Sequence, residues 1–256
     1  MTNSQTNPEL VCIYKPLGKT PLQALDLMRK HPQYAKAILS YAGRLDPLAE
    51  GLLLIMVNTA NKDREQYLNL NKTYEFEMVC GLATDTADVL GLVTHKIDVQ
   101  PHREQLEAVL DQVRGDISLP YPAYSSKTVK GKPLLAWARA GRLHEIKIPE
   151  AVCHIYNLEI LNSESIDSEA MLQTILQRID LVDGDFRQEA IKKRWQQTLS
   201  QSQQFQKFSF RITCSSGTYV RSVVTKIGEL LAIPTVTYSI KRTEIEGCQN
   251  LLFLQI

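Results

Sequence analysis

With 256 residues, 44% of them hydrophobic, the chain can bury a sizeable core as one large domain or two small ones. Its apolar runs fall far short of the roughly 18 to 20 residues needed to span a bilayer, and the polar start has no signal-peptide core, so no membrane association and a cytoplasmic location are expected. Five cysteines, at positions 12, 80, 153, 214 and 248, are odd in number and form no CxxC pair, which argues against a disulfide framework or a zinc site, and a net charge of +1 does not by itself announce a nucleic-acid partner.

Residues 1–9 read as a disordered tail. Leu10 to Tyr14 predicts a strand, broken into a turn by Lys15-Pro16-Leu-Gly18. Thr20, followed by Pro21 and with Gln23 three residues on, has the spacing of a capping box. A helix is therefore expected to about Lys30, with Leu22, Leu25 and Met28 on its apolar side, then a second short helical piece over Tyr34 to Ser40. The stretch Tyr41-Ala-Gly-Arg-Leu-Asp46-Pro-Leu-Ala-Glu-Gly51 leads into Leu52 to Val57, a run bounded like a buried strand, so Asp46 should lie on a loop entering the core. Pro47 biases Asp46 towards extended backbone, and Gly43 and Gly51 permit close approach on either side. From these residues alone, Asp46 is either a presented reactive carboxylate or a turn cap.

Asn61 to Leu70 has helix-forming composition, and Lys72 to Val79 alternates as a strand with Tyr74, Phe76 and Met78 on one face, a pattern that also suits Tyr74 as a core residue. A Thr- and Asp-rich loop over Gly81 to Gly91 precedes a short strand at Thr94 to Val99, and Pro101 begins a helix carrying Leu106, Val109, Leu110 and Val113 and ended by Gly115. Leu119 to Tyr124 holds two prolines and cannot be a central strand. Between Ser126 and Ile148, Lys127, Lys130, Lys132, Arg139, Arg142 and Lys147 face a single acid, Glu145. That excess suits either phosphate contact or a solvated face. It includes a helix over Leu134 to Ala140 stopped by Gly141. Val152 to Leu161 is a strand, and the polar stretch Asn162 to Lys207 contains helical candidates at Glu169 to Ile179 and Phe186 to Gln197. A strand (Phe208 to Cys214), a turn (Ser215 to Thr218), a helix (Tyr219 to Ala232) and a strand (Thr235 to Glu244) follow. Irregular mixing of strands and helices, without a repeated βα unit, argues for an α+β fold.

Arg44-Leu-Asp46-Pro-Leu-Ala-Glu-Gly51 resembles the catalytic segment of the bacterial TruB-type tRNA pseudouridine synthases. Further blocks match in the family's order: Lys15-Pro16-x-Gly18, Lys72-Thr-Tyr74, Gly81-x-x-Thr84-Asp-Thr-x-Asp88, Pro122-Ala-Tyr124-Ser, Gly131-Lys132 and Ser216-Gly-Thr-Tyr219-Val-Arg221. The resemblance implies the pseudouridine-synthase fold, a long, mixed, mostly antiparallel sheet with a central catalytic cleft flanked by helices and loops. It also implies one catalytic domain over residues 10–256, with an RNA-contacting insertion at about 120–150. At about 162–207 the chain departs from the family, which has a short connection there, and the residues after Ile245 are too few for the C-terminal PUA domain of many relatives.

The implied reaction breaks the glycosidic bond of a uridine, rotates the base and rejoins it through carbon, using one carboxylate and neither cofactor nor metal. Asp46 is that carboxylate, acting covalently or by removing a sugar proton. Either route needs it charged, which calls for a cationic partner, and Arg221 is the candidate. By resemblance Tyr219 borders the pocket and takes or relays a proton, Tyr74 packs on the flipped base, and Asp88 helps organise RNA near the site. Lys127, Lys130, Lys132, Arg139 and Arg142 become RNA contacts. Tyr41 stands where the family has a histidine that touches RNA, so it is expected to stack there and donate one hydrogen bond. The implied partner is the T-arm of tRNA, modified at position 55, with no obligate protein partner. The alternatives are the same reaction on another RNA stem-loop, or a non-catalytic tRNA-folding chaperone.

Overall fold

The computed structural model describes residues 10–249 and 251–254, so the tail expected over residues 1–9 lies outside the described residues. The elements run β1 (Leu10–Lys15), α1 (Pro21–Arg29), β2 (Leu39–Ala42), β3 (Ala49–Val57), α2 (Arg64–Leu68), β4 (Lys72–Cys80), β5 (Leu82–Thr84), β6 (Val93–Lys96), α3 (Arg103–Leu110) and β7 (Gly115–Pro120). There follow β8 (Thr128–Val129), β9 (Lys132–Pro133), α4 (Leu134–Arg139), β10 (Glu150–Asp167), α5 (Ser168–Asp180), α6 (Gln188–Thr198), β11 (Gln204–Cys214), α7 (Val220–Leu231), β12 (Thr235–Ile245) and β13 (Leu252–Leu254).

Among the described residues a nine-stranded sheet forms the spine, eight strands in the order β13-β1-β3-β12-β4-β11-β10-β7 and the ninth, β2, paired with β3 off this path. Its pairings are antiparallel except β1 with β13 and β3 with β12. This is the mixed, mostly antiparallel sheet of an α+β fold. Among the described residues β7, with Pro120 at its end, pairs only with β10 and so takes the edge, where a missing N–H does least harm.

From Leu52 to Val57 β3 is apolar because both of its faces are covered. Leu53 and Ile55 pack with Val11, Ile13 and the α1 residues Ala24, Leu25 and Met28, whereas Leu54 and Met56 pack with Cys12 and Ile245 on the other side. On β4, Tyr74, Phe76 and Met78 share a cluster with Leu106 and Leu110 of α3 and with Val223, Val224 and Ile227 of α7. Phe76 stacks on its cross-strand partner Phe210 with ring centroids 4.9 Å apart. Val79 points the opposite way from Met78 and joins Leu82, Val89 and the helices α5 and α6, whose Trp195 is fully buried and donates its indole N–H to the Val89 carbonyl at 3.1 Å.

The capping box at Thr20 forms as read: Thr20 Oγ1 accepts from the Gln23 N–H at 3.2 Å and Gln23 Oε1 from the Thr20 N–H at 2.7 Å. Leu22, however, is 59% exposed, and Ala24 replaces it on the buried side. No helix forms over Tyr34 to Ser40. Tyr34 closes a turn with its ring fully buried beneath α1, and the chain then returns as β2 to pair with Leu54 to Val57, beyond the point where β12 leaves β3. The helix expected over Asn61 to Leu70 is instead a 3-10 turn at Asn58–Asp63 followed by the short α2. β10 runs to Asp167 and β11 starts at Gln204, so both ends of the polar stretch extend a hairpin and only α5, α6 and their joining turns leave it.

Candidate active site

Asp46 sits where the loop after β2 turns into β3, its carbonyl accepting from the Ala49 N–H at 3.0 Å. Gly51, at φ +112°, lets β12 run close beside this loop, since a Cβ there would lie 2.2 Å from the Arg242 carbonyl oxygen. The Asp46 carboxylate faces Arg221 in a fork: Nε donates to Oδ2 at 2.8 Å and Nη2 to Oδ1 at 2.9 Å. Arg221 is 2% exposed while the Asp46 side chain keeps 28%, so the pair turns its acidic end to the cleft. Remaining guanidinium donors reach the Thr86 carbonyl at 2.9 Å and the Tyr124 carbonyl at 3.3 Å, and Asp88 Oδ2 lies 3.6 Å from Nε. Burial alone would pull the Arg221 guanidinium down, but the Asp46 and Asp88 charges overcome it and hold it above its ordinary value.

Three further buried cations lie around the site. Lys15, fully buried, donates to the carbonyls of Pro16 (2.8 Å), Lys19 and Pro47, and the Gly18 N–H also reaches the Pro47 carbonyl at 2.9 Å. The Lys15-Pro16 turn is thereby tied to the residue next to Asp46. Burial pulls the Lys15 ammonium down to about 7, with Asp46 and Glu50 opposing. Lys72, likewise buried and lowered to about 8 by burial and by Arg242, donates to the Leu68 carbonyl at 2.8 Å. Arg242, 1% exposed, donates to the Leu52 carbonyl at 2.6 Å, and its guanidinium carbon is 6.0 Å from the Tyr74 ring centre.

In front of Asp46 opens a cavity of about 460 Å³, lined among others by Tyr41, Tyr74, Leu135, Phe186 and Tyr219. A smaller cavity of about 100 Å³ lies on the Arg221 side of Asp46, bordered by Asp88, Arg139 and Arg187. Tyr219 caps α7, its ring edge-on to Tyr121 at 5.6 Å. Burial, then the charge of Asp46, push its phenol above the usual range.

Residues 31–178, from the turn before β2 into α5, match the model described as TruB family pseudouridylate synthase (N terminal domain). The chain belongs to the TruB family. The tRNA pseudouridine synthase B of Bacillus cytotoxicus is 30% identical over 91% of this chain and 64% of its own length. That of Geobacillus kaustophilus is 30% identical over 91% of this chain and 70% of its own length. This TruB-family chain spans about two thirds of the length of the curated relatives it matches. Among solved structures, a chain of a Cbf5-Nop10-Gar1 complex superposes with a TM-score of 0.60 over 96% of this chain and 52% of that chain, at 15% identity. At that identity the likeness speaks for a common fold and no more.

The TruB-family blocks thus converge: Tyr41, Asp46, Tyr74 and Tyr219 line one cavity, with Arg221 directly behind Asp46. Asp88, expected to help organise RNA, borders the smaller cavity. It is buried, with Oδ1 accepting from the Thr86 hydroxyl at 2.7 Å and the Leu90 N–H at 2.9 Å, so its carboxylate supports Arg221 from within. Lys130 and Gly131 both have positive φ, forming the tight tip between β8 and β9 that presents Lys127, Lys130 and Lys132 to solvent outside the cavity. Arg142 is neutralised locally by a fork to Glu145 at 2.6 and 2.7 Å, and Arg139 donates to the Asp185 carbonyl at 2.6 Å. Sequence reasoning gave no role to Lys15 or Lys72 and passed over Arg242 and Phe186. Lys15 and Lys72 stood inside matched blocks, whereas nothing local singled out Arg242 or Phe186.

Proposed function

We propose that this chain isomerises uridine to pseudouridine in RNA, and that its substrate is the T-loop uridine of tRNA. The observation that carries this reading is the Asp46 carboxylate, gripped from behind by the buried Arg221 fork and open in front to a cavity lined by aromatic rings. The TruB-family relatives' names, tRNA pseudouridine synthase B, support tRNA as the RNA.

A base stacked in a duplex cannot reach Asp46, so the uridine enters flipped, and the Tyr74 ring offers a replacement stacking face worth about 1 to 3 kcal/mol. The Arg221 fork fixes both carboxylate oxygens, so Asp46 meets the sugar in one orientation. Tyr219 enters as a neutral phenol, the form that burial and the neighbouring Asp46 charge favour.

Forming the new carbon–carbon bond expels the hydrogen from C5 of the base, so tritium release from tRNA labelled at that position measures turnover. The parent should release tritium, and Asp46→Asn should still bind tRNA while release falls to background. Turnover of the Asn variant within tenfold of the parent would overturn the role given to Asp46. Replacing the T-loop uridine by cytidine should abolish release; undiminished release would move the reaction to another stem-loop.

A further inference from the structure

The connection between α5 and α6, residues 181–187, is built into the cleft. Its start packs on the Lys15-Pro16 turn so closely that a Cβ on Gly18 would lie 2.3 Å from the Leu181 carbonyl oxygen, and Lys19 pairs with Asp183. Its end is Arg187, a non-glycine residue at φ +65°, a backbone state that persists only where the surroundings impose it. Here the Arg187 guanidinium contacts Asp85 at 2.7 and 3.3 Å and lies 4.5 Å from the Tyr124 ring centre, while the Tyr124 hydroxyl donates to Asp85 at 3.2 Å. Tyr124 in turn gives its carbonyl to Arg221. Between these anchors Phe186 is half-buried, packed on one side against the α5 and α6 cluster and bordering both cavities on the other.

We propose that residues 181–187 form a wall of the cleft in which Phe186 meets the RNA beside the reacting uridine and Arg187 is the positioning residue that holds it there. This rests on the RNA-isomerase reading of the cleft. A residue serving only the core would be covered, whereas Phe186 shows part of its ring in the same cavity as Tyr74. A second exposed ring so placed suits stacking on the neighbouring base, a contact that tolerates any sequence because every base offers a flat face.

The test is binding of a fluorescent T-arm stem-loop RNA, followed by anisotropy, with tritium release measured separately. Phe186→Leu, which keeps apolar volume but loses the flat ring, should weaken binding about tenfold without lowering Tm, and Phe186→Trp should bind within about twofold of the parent. Arg187→Gln should weaken binding to the same degree, and the double variant no further, because both changes remove one contact. Leu binding like the parent, or Trp losing as much as Leu, overturns the role of Phe186. Additive losses in the double variant overturn that of Arg187. A parent that binds but releases no tritium refutes the isomerase reading while the binding comparison still decides Phe186, and a parent that does not bind the stem-loop refutes both.

Discussion

Arg221 is the second residue of α7, against the positive end of the helix dipole, where a cation is disfavoured. It is stable there because Asp46 and Asp88, with the carbonyls of Thr86 and Tyr124, gather around it. An ammonium cannot reproduce that planar fork, so Arg221→Lys should keep the charge yet lower kcat by roughly a hundredfold or more through misplacement of Asp46. A fully active Lys variant would show that charge alone suffices. Lys15 makes a separate prediction. Its folded value of about 7 lies below the ordinary 10.5, so between these limits the unfolded chain holds a proton that the folded chain has released. Stability should therefore rise with pH from about 7 upwards, by up to about 1.4 kcal/mol per pH unit, with the full penalty of the buried charge felt below pH 7. Unfolding of the parent and of Lys15→Met, compared from pH 7 to 9, should show the parent gaining on the variant, and parallel curves would refute it. Asp46 and Arg221 could be paired from sequence because both stand in family-matching blocks and a charged carboxylate in a pocket calls for a facing guanidinium. The buried roles of Lys15, Lys72 and Arg242 could not, since each donates to backbone carbonyls, some from distant segments, that leave no trace in side-chain pattern.

At the scale of elements, α7 joins the core to the site, and Gly228 sets how closely it lies on β12. A Cβ at Gly228 would come within 2.3 Å of the Thr235 hydroxyl and 2.8 Å of the Ile233 carbonyl oxygen. Helix propensity favours Ala by about 1 kcal/mol, but overpacking a tight contact costs about 1 to 3. Gly228→Ala should therefore be net destabilising in urea unfolding, with activity lost beyond the stability loss as Arg221 is displaced; a stabilised variant would mean that the helix shifts freely. Elements with local signals were legible: the capping box of α1, the apolar spacing of α3, and the doubly covered run of β3. β2 was not, because its four residues are a strand only by virtue of a partner on β3, and Tyr34 to Ser40 has helix-like composition that the buried Tyr34 turn overrides. The lengths of β10 and β11 were likewise hidden, since the extended ribbon is polar in sequence apart from the paired Ile166 and Phe205, too few to show an alternating apolar face.

Across the whole molecule, a net charge of +1 gives little long-range pull on a polyanion, so attraction for the proposed RNA substrate must come from local groups. Lys127, Lys130 and Lys132, at or beside the tip of the β8–β9 hairpin, are the exposed cations best placed for it. Replacing all three with Gln should reduce the slope of log affinity against log salt by about 2 to 3, at roughly 0.7 to 0.9 per phosphate contact. An unchanged slope would put the RNA on another face. The distance along the chain between the two halves of the site has a consequence for how the protein is made. Asp46 and Arg221 are 175 positions apart, and β12, which flanks the start of β3, is synthesised later still. A nascent chain exposes Asp46 long before the guanidinium that aims it, and contacts so remote in sequence are slow to close. On the proposed reading, competence thus arrives late, when α7 and β12 dock, so chains that stop short of α7 should lack turnover and the onset of turnover should mark the completion of folding.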